Sequence, residues 1–157
     1  MDTIKKYQGI PPPGRLLKMR SFTGGFLNGL LQSSLRKIGL ELEKADKFLA
    51  QADAVAALGI WDVVANRIFY AAFHAVSALL INDHIEVRSH KGAGLMFGQK
   101  YVIPGIFTSD EGRLYAKLQD IREKSDYNLV YQSNEEEMAP LIEKTKNLIE
   151  RIKARIK

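Results

Sequence analysis

The chain of 157 residues contains no cysteine, which excludes a disulfide framework and any Cys-ligated zinc or iron–sulfur centre and gives no support to an extracellular address. Histidine is scarce too. His74, His84 and His90 form no ligand pair at helical spacing on one face, so neither a metal nor another cofactor is expected. No run alternates apolar and polar residues in the manner of a strand, and Gly92-x-Gly94-x-x-x-Gly98 therefore lacks the preceding strand that a phosphate-binding glycine loop requires. Asn66, Arg67 and His74 interrupt the longest apolar run, leaving it short of the roughly 18 uncharged apolar residues of a membrane span. The first residues hold no compact apolar segment followed by a small-residue cleavage site. A cytoplasmic protein without a membrane segment is expected.

What is present is the composition of an ordinary globular protein, 46% hydrophobic and 26% charged, in a length typical of one domain. The net charge of +5 is concentrated at one end. Lys5, Lys6, Arg15, Lys18 and Arg20 face only Asp2 within the first 20 residues, leaving 18 basic and 17 acidic residues for the remainder. The body is thus nearly neutral, and global charge is no argument for nucleic-acid binding.

Residues 1–30 carry Pro11-Pro12-Pro13-Gly14, Gly24-Gly25 and Gly29, and are expected to form a flexible, basic leader rather than a helix. The alternative for this stretch is a basic arm for RNA or a partner, anchored by Leu16, Leu17, Phe22 and Phe26. From residue 34 to 156 the pattern is helical and predicts one domain. Leu35, Ile38, Leu42, Ala45, Leu49, Ala52 and Ala56 step by threes and fours to Leu58-Gly59, a helix closed by a glycine cap. Trp61 to Asp83 is apolar around most of its circumference, which marks a buried central helix. Ser89 is placed to cap a shorter helix reaching about Val102. Thr108-Ser-Asp-Glu111 and Ser133-Asn-Glu-Glu136 have capping-box spacing and open two more helices, the last carrying Leu141, Thr145, Leu148, Ile152 and Ile156 beyond Pro140.

Three polar constellations stand against this background. Arg67, Tyr70, His74 and Ser77 share a stripe of the central helix. Ser89-His90-Lys91-Gly92 opens the next one, where free N–H groups and Lys91 suit a phosphate. Arg122-Glu-Lys-Ser-Asp126-Tyr127-Asn128 lies where the fourth helix gives way. In this order the chain resembles the HEPN domain family (higher eukaryotes and prokaryotes nucleotide-binding). Asn66-Arg67-x-x-Tyr70-Ala-Ala-Phe73-His74, Ser89-His90-Lys91-Gly92 and Arg122-x-x-x-Asp126-Tyr127-Asn128 carry the likeness, which is strongest to the subgroup with an Arg-x-x-x-Asp-Tyr motif.

The resemblance implies an all-α, HEPN-like antiparallel bundle of four to five helices that pairs into a homodimer, the Arg motifs facing each other across a cleft. It also implies RNA or nucleotide binding, in many relatives a metal-independent ribonuclease acting as a toxin beside a nucleotidyltransferase partner. In such ribonucleases the arginine neutralises a phosphate and a histidine that follows after four to six intervening residues moves the proton of a ribose oxygen. Here Tyr127, Asn128 and Leu129 occupy those positions. The expected roles are therefore phosphate binding by Arg122, orientation of that arginine by Asp126, and stacking or hydroxyl donation by Tyr127. Arg67, Tyr70, His74, His90, Lys91 and Asn128 complete the ligand-binding set, with Arg67, Tyr70 and His74 as an inner wall complementing Asp126 and Tyr127. The resemblance further implies that Tyr127 or Tyr131 can accept AMP from the partner. The alternative reading is a non-catalytic dimeric interaction module, and the acidic start of the last helix, Glu135 to Glu137, is a further candidate for docking a partner.

Overall fold

Helical periodicity and well-placed caps produce five α-helices among the described residues: α1 (Leu16–Ala57), α2 (Trp61–Asn82), α3 (His90–Phe97), α4 (Ser109–Tyr127) and α5 (Glu135–Ile156). A π-helical turn, Gly98–Val102, prolongs α3. The computed structural model describes residues 16–156, with side chains from residue 24, and no strand occurs among them. The chain divides into two units, Met1–Ser34 and Leu35–Lys157.

In the first unit the backbone is helical from Leu16 onward through Gly24, Gly25 and Gly29, where the glycines led to the expectation of no helix. Each glycine costs a helix about 1 kcal/mol relative to alanine. Elongating an established helix nevertheless adds a hydrogen bond per residue without a new nucleus. Residues 1–15, and the side chains of Leu16, Leu17 and Phe22, lie outside what is described. Phe26, Leu27, Leu30 and Leu31 are all more than half exposed.

In the second unit, α2 is the hub, as its all-round apolar sequence demands. Ala65, Ala71, Ala72, Ala75 and Ala78 are essentially inaccessible, and such small side chains let neighbouring helices approach closely. By length and composition alone α2 is apolar enough to cross a membrane, contrary to the expectation from its polar interruptions, but 67% of that span is buried inside the protein. Met138, Leu141, Ile142, Leu148, Ile149 and Ile152 of α5 and Leu114, Leu118 and Ile121 of α4 join the same core. Thr145, fully buried among them, satisfies its hydroxyl on Leu141 O at 2.7 Å. Gly59, at φ +72°, closes α1, and the pairs Gln51–Arg67 and Glu41–His74 show α1 and α2 running antiparallel.

Local signals decide most boundaries. Ser89 caps α3 by accepting from Gly92 N, and Thr108 and Glu111 form a reciprocal capping box at α4. At α5 the cap is one residue later than expected. Asn134 Oδ1 accepts from Glu137 N at 2.9 Å, while Ser133 N is drawn to Asp62 Oδ1 at 2.8 Å. Leu35 is 58% exposed, so the buried stripe of α1 in this unit begins at Ile38.

Candidate functional site

The polar stripe of α2 parts into two directions. Arg67 and His74, seven apart, differ by only about 20° in direction, and Tyr70 is about 40–60° from them, its ring still 5.8 Å from Phe48 and 6.5 Å from His74. Arg67 Nη1 donates to Gln51 Oε1 at 3.0 Å and its guanidinium lies 5.1 Å from the Phe48 ring centre. His74 Nδ1 meets Glu41 Oε2 at 2.5 Å and its ring stacks on Phe48 at 5.4 Å. Ser77 Oγ returns to Phe73 O at 2.8 Å. Arg67 and His74 thus bind α1 and do not form a wall against Asp126 and Tyr127, which corrects that expectation.

Tyr70 also reaches the two remaining constellations. Its ring lies 5.9 Å from the Arg122 guanidinium carbon and 5.3 Å from the His90 ring. Phe69 also touches both, at 5.1 Å from Arg122 and 5.8 Å from His90, and Phe73 approaches His90 at 4.4 Å. The fold therefore brings His90 of α3 and Arg122 of α4 onto one aromatic patch of α2. His90 occupies the first turn of α3. Burial, then the Arg122 charge, then His74 lower its pKa from the ordinary histidine value.

Arg122 is only 12% exposed, yet its hydrogen-bonding capacity is largely unused. Nη1 reaches Asp126 Oδ2 at 3.3 Å, Nη2 stands 4.0 Å from Glu123 Oε1, and Nε is buried without a partner. A guanidinium carries five N–H donors in a fixed fork. Those left over suit a planar or tetrahedral oxyanion.

Arg122 opens on a shallow groove with Lys124, Tyr127 and Asn128. Tyr127 is 78% exposed. Asn128 accepts from Val130 N at 3.0 Å, and its backbone N–H closes α4 on Lys124 O. Asp120 and Glu123 share the groove and Lys124 pairs with Asp120 at 2.8 Å, so the groove carries no general positive field and an oxyanion there would meet the guanidinium itself. His90 lines a separate cleft with Glu41, Ser77 and Ser89. Lys91 is not part of this grouping, since it is exposed and lines a different groove, between α3 and α4, with Gln119 and Glu123. Among the described residues no three His, Asp or Glu side chains are placed to hold a metal ion.

Glu41, Phe48, Gln51 and Phe69 escape a reading of the sequence alone. Glu41 lies off the apolar stripe of α1 and reads as solvated, and Phe69 reads as plain core. The available signal was the spacing of Glu41, Phe48 and Gln51 by seven and three, which aligns a carboxylate, a ring and an amide along one edge of α1.

The profile of the HEPN domain matches residues 40–155. The chain belongs to the HEPN domain family. Among relatives of this HEPN domain, a Methanocaldococcus jannaschii protein named "Putative toxin" is 29% identical over 132 residues, covering 83% of this chain and 98% of its own. A second protein of that organism with the same designation is 25% identical over 109 residues, 69% of this chain and 74% of its own. A UPF0332 protein of Thermotoga maritima is 30% identical over 87 residues, 55% of this chain and 66% of its own. The crystal structure of an archaeal HEPN homologue superposes with a TM-score of 0.63 at 19% identity, over 76% of this chain and 98% of that one, a likeness of fold.

Proposed function

We propose that this HEPN domain binds RNA or a nucleotide through Arg122, as the toxin-like half of a pair with a nucleotidyltransferase. The observation that carries the reading is the guanidinium of Arg122, mostly buried and held over Phe69 and Tyr70, with Nε unpartnered and one long bond to Asp126. Preserving such an unsatisfied group is costly unless a ligand uses it. Asp126 orients the fork from one turn away, and exposed Tyr127 is free to stack on a base. Tyr127, Leu129 and Val130, exposed at 78, 102 and 90%, suit cover by a second copy, which would set two Arg122 grooves beside each other. The names carried by the M. jannaschii relatives agree with a toxin role.

The test is fluorescence anisotropy of a labelled single-stranded RNA, with AMP and ATP as competitors. Arg122→Ala is expected to weaken binding by at least about tenfold, the loss of one charge-assisted contact, without lowering the melting temperature. With so few phosphate contacts the slope of log K on log salt should be shallow, about −0.7 per contact on a single strand. If Arg122→Ala instead melts the protein or dissociates it while binding is unaltered, Arg122 secures packing and the domain is a non-catalytic interaction module.

A further inference from the structure

The HEPN match begins at residue 40, whereas α1 begins at Leu16, so the first turns of that helix belong to this chain and not to the family pattern. Within residues 24–34 the side chains of Phe26, Leu27, Leu30 and Leu31 are exposed by 57, 63, 51 and 54%. A contiguous set of large apolar side chains facing water marks a surface that something covers.

These four residues lie on one side of the helix. At 3.6 residues per turn they share an arc of about 140°, which Ser34 interrupts. The opposite arc, also about 140° wide, holds Gly25, Asn28, Gly29, Gln32 and Ser33. Charge is as one-sided as polarity. Between Asp2 and Glu41 the chain has seven basic residues and no acidic one, with Lys18 and Arg20 before the apolar face and Arg36 and Lys37 after it in the sequence. Arg36 and Lys37 are both exposed.

We propose that residues 24–34 of α1 form an in-plane anchor for an anionic phospholipid surface, with Phe26, Leu27, Leu30 and Leu31 set among the acyl chains and the flanking basic residues at the headgroup phosphates. The helix lies on the bilayer and does not cross it. A wide apolar face, an uncharged polar face of small residues and flanking cations are the chemistry of interfacial helices, and clustered cations are drawn to an anionic leaflet. The inference goes beyond the RNA-binding reading and does not depend on it.

Two other occupants fit this face less well. A second copy of the segment would bring like charges together, and paired helices close along a seam narrower than this arc. RNA would use the cations, but its phosphates gain nothing from three leucines. Phe26 is the sole aromatic residue between positions 24 and 34 on which a base could stack.

The experiment is flotation of the full chain with vesicles of phosphatidylcholine alone and of an equal mixture with phosphatidylglycerol. Wild type should bind the mixed vesicles at least about tenfold more tightly than phosphatidylcholine, and added salt should weaken that binding. On the mixed vesicles amide hydrogen exchange should slow over residues 24–34 and stay unchanged over α2. The triple variant Leu27→Ala, Leu30→Ala, Leu31→Ala keeps helix propensity and removes apolar reach. It should lose at least about tenfold in affinity for the mixed vesicles, at an unaltered melting temperature. Arg36→Gln with Lys37→Gln should lose about tenfold or more of the preference for anionic lipid. Arg122→Ala should float as wild type does, since the anchor is separate from that site.

Wild type that does not float, or that floats without slowed exchange over residues 24–34, overturns the proposal. A triple variant that floats as well as wild type overturns it too, as does loss of flotation in Arg122→Ala, which would move the lipid contact to α4. If wild type ignores vesicles and the triple variant instead changes the oligomeric mass, the face is an interface between copies. If wild type ignores vesicles and the Arg36 and Lys37 variant instead weakens RNA anisotropy, the segment is an arm for RNA.

Discussion

Arg151 and Arg122 both lie over phenylalanine rings, at 5.0 Å from Phe107 and 5.1 Å from Phe69, and differ in everything else. Arg151 Nη1 donates to both Glu111 oxygens at 2.6 Å and Nη2 to Ile106 O at 3.2 Å. Glu111 in turn accepts from Thr108 N in the capping box. That arginine is fully employed in tying α5 to the start of α4. Arg122 is more deeply buried, 12% against 50% exposed, yet makes one 3.3 Å hydrogen bond. Burial raises the cost of each unpaired donor, so the molecule keeps its idle donors where they are most expensive. Stability alone would favour the reverse arrangement, and strained or underused groups are characteristic of binding sites.

The largest expected effects come from exchanging the two roles. Arg122→Ala should cost about tenfold or more in RNA affinity and little or nothing in melting temperature. Arg151→Ala should leave affinity unchanged and lower stability by up to about 1 kcal/mol, modest because the pair is half exposed. Identical stability losses from both would erase the contrast. Next, Glu111→Ala removes both the capping box and the Arg151 contact, and should cost about 1–2 kcal/mol by chemical denaturation; a loss no larger than that of Arg151→Ala would show the cap to be idle.

A smaller effect tests whether every idle buried group belongs to the site. Tyr115 also packs on Phe69, at 6.1 Å, and its hydroxyl is buried with no partner. Tyr115→Phe should therefore raise stability by about 1 kcal/mol, read as an increase of about 2–4 °C in melting temperature, with RNA affinity unaltered. A drop in affinity would enlist Tyr115 in the site. Burial raises the pKa of this phenol.

The smallest effect is a slope. The pKa of His90 is lowered in the folded state by burial, Arg122 and His74, so below the unfolded value of about 6.5 the unfolded chain binds more protons than the native one. Its contribution to stability is complete above that pH and declines as pH falls through the folded value. His90→Gln should flatten this acid-side decline in denaturation midpoints measured between about pH 7 and 5. An unchanged slope would mean that His90 titrates alike in both states.

Features set by neighbours in the chain were legible from the sequence, and those set by distant partners were not. The glycine closing α1, the Ser89 cap and the Thr108–Glu111 box each need only a few consecutive residues. So did the apolar circumference of α2. The start of α5 was misplaced by one residue because Asp62, 71 positions away, captures Ser133 N. The glycines near the N-terminus read as breakers, although elongation of α1 outweighs their individual cost. Arg122 and Asp126 were recognisable four apart, but their relation to His90 depends on how α3 and α4 meet α2. The pairing of Arg67 with Gln51 and of His74 with Glu41 was not legible, because nothing local marks those partners on α1.

The loop from Asn128 to Asn134 would report any self-association that covers its tip. Leu129 and Val130 project fully at its tip, whereas its far end is fastened by Ser133 N on Asp62 and by the Tyr131 hydroxyl on Glu137 at 2.8 Å. A protease given brief access would nick a free subunit at this tip first, and α5 would stay seated on α2 through its buried stripe. A subunit covered there by a second copy would resist. The rate at which one band becomes two on a gel, followed against protein concentration, thus reads out association without any label.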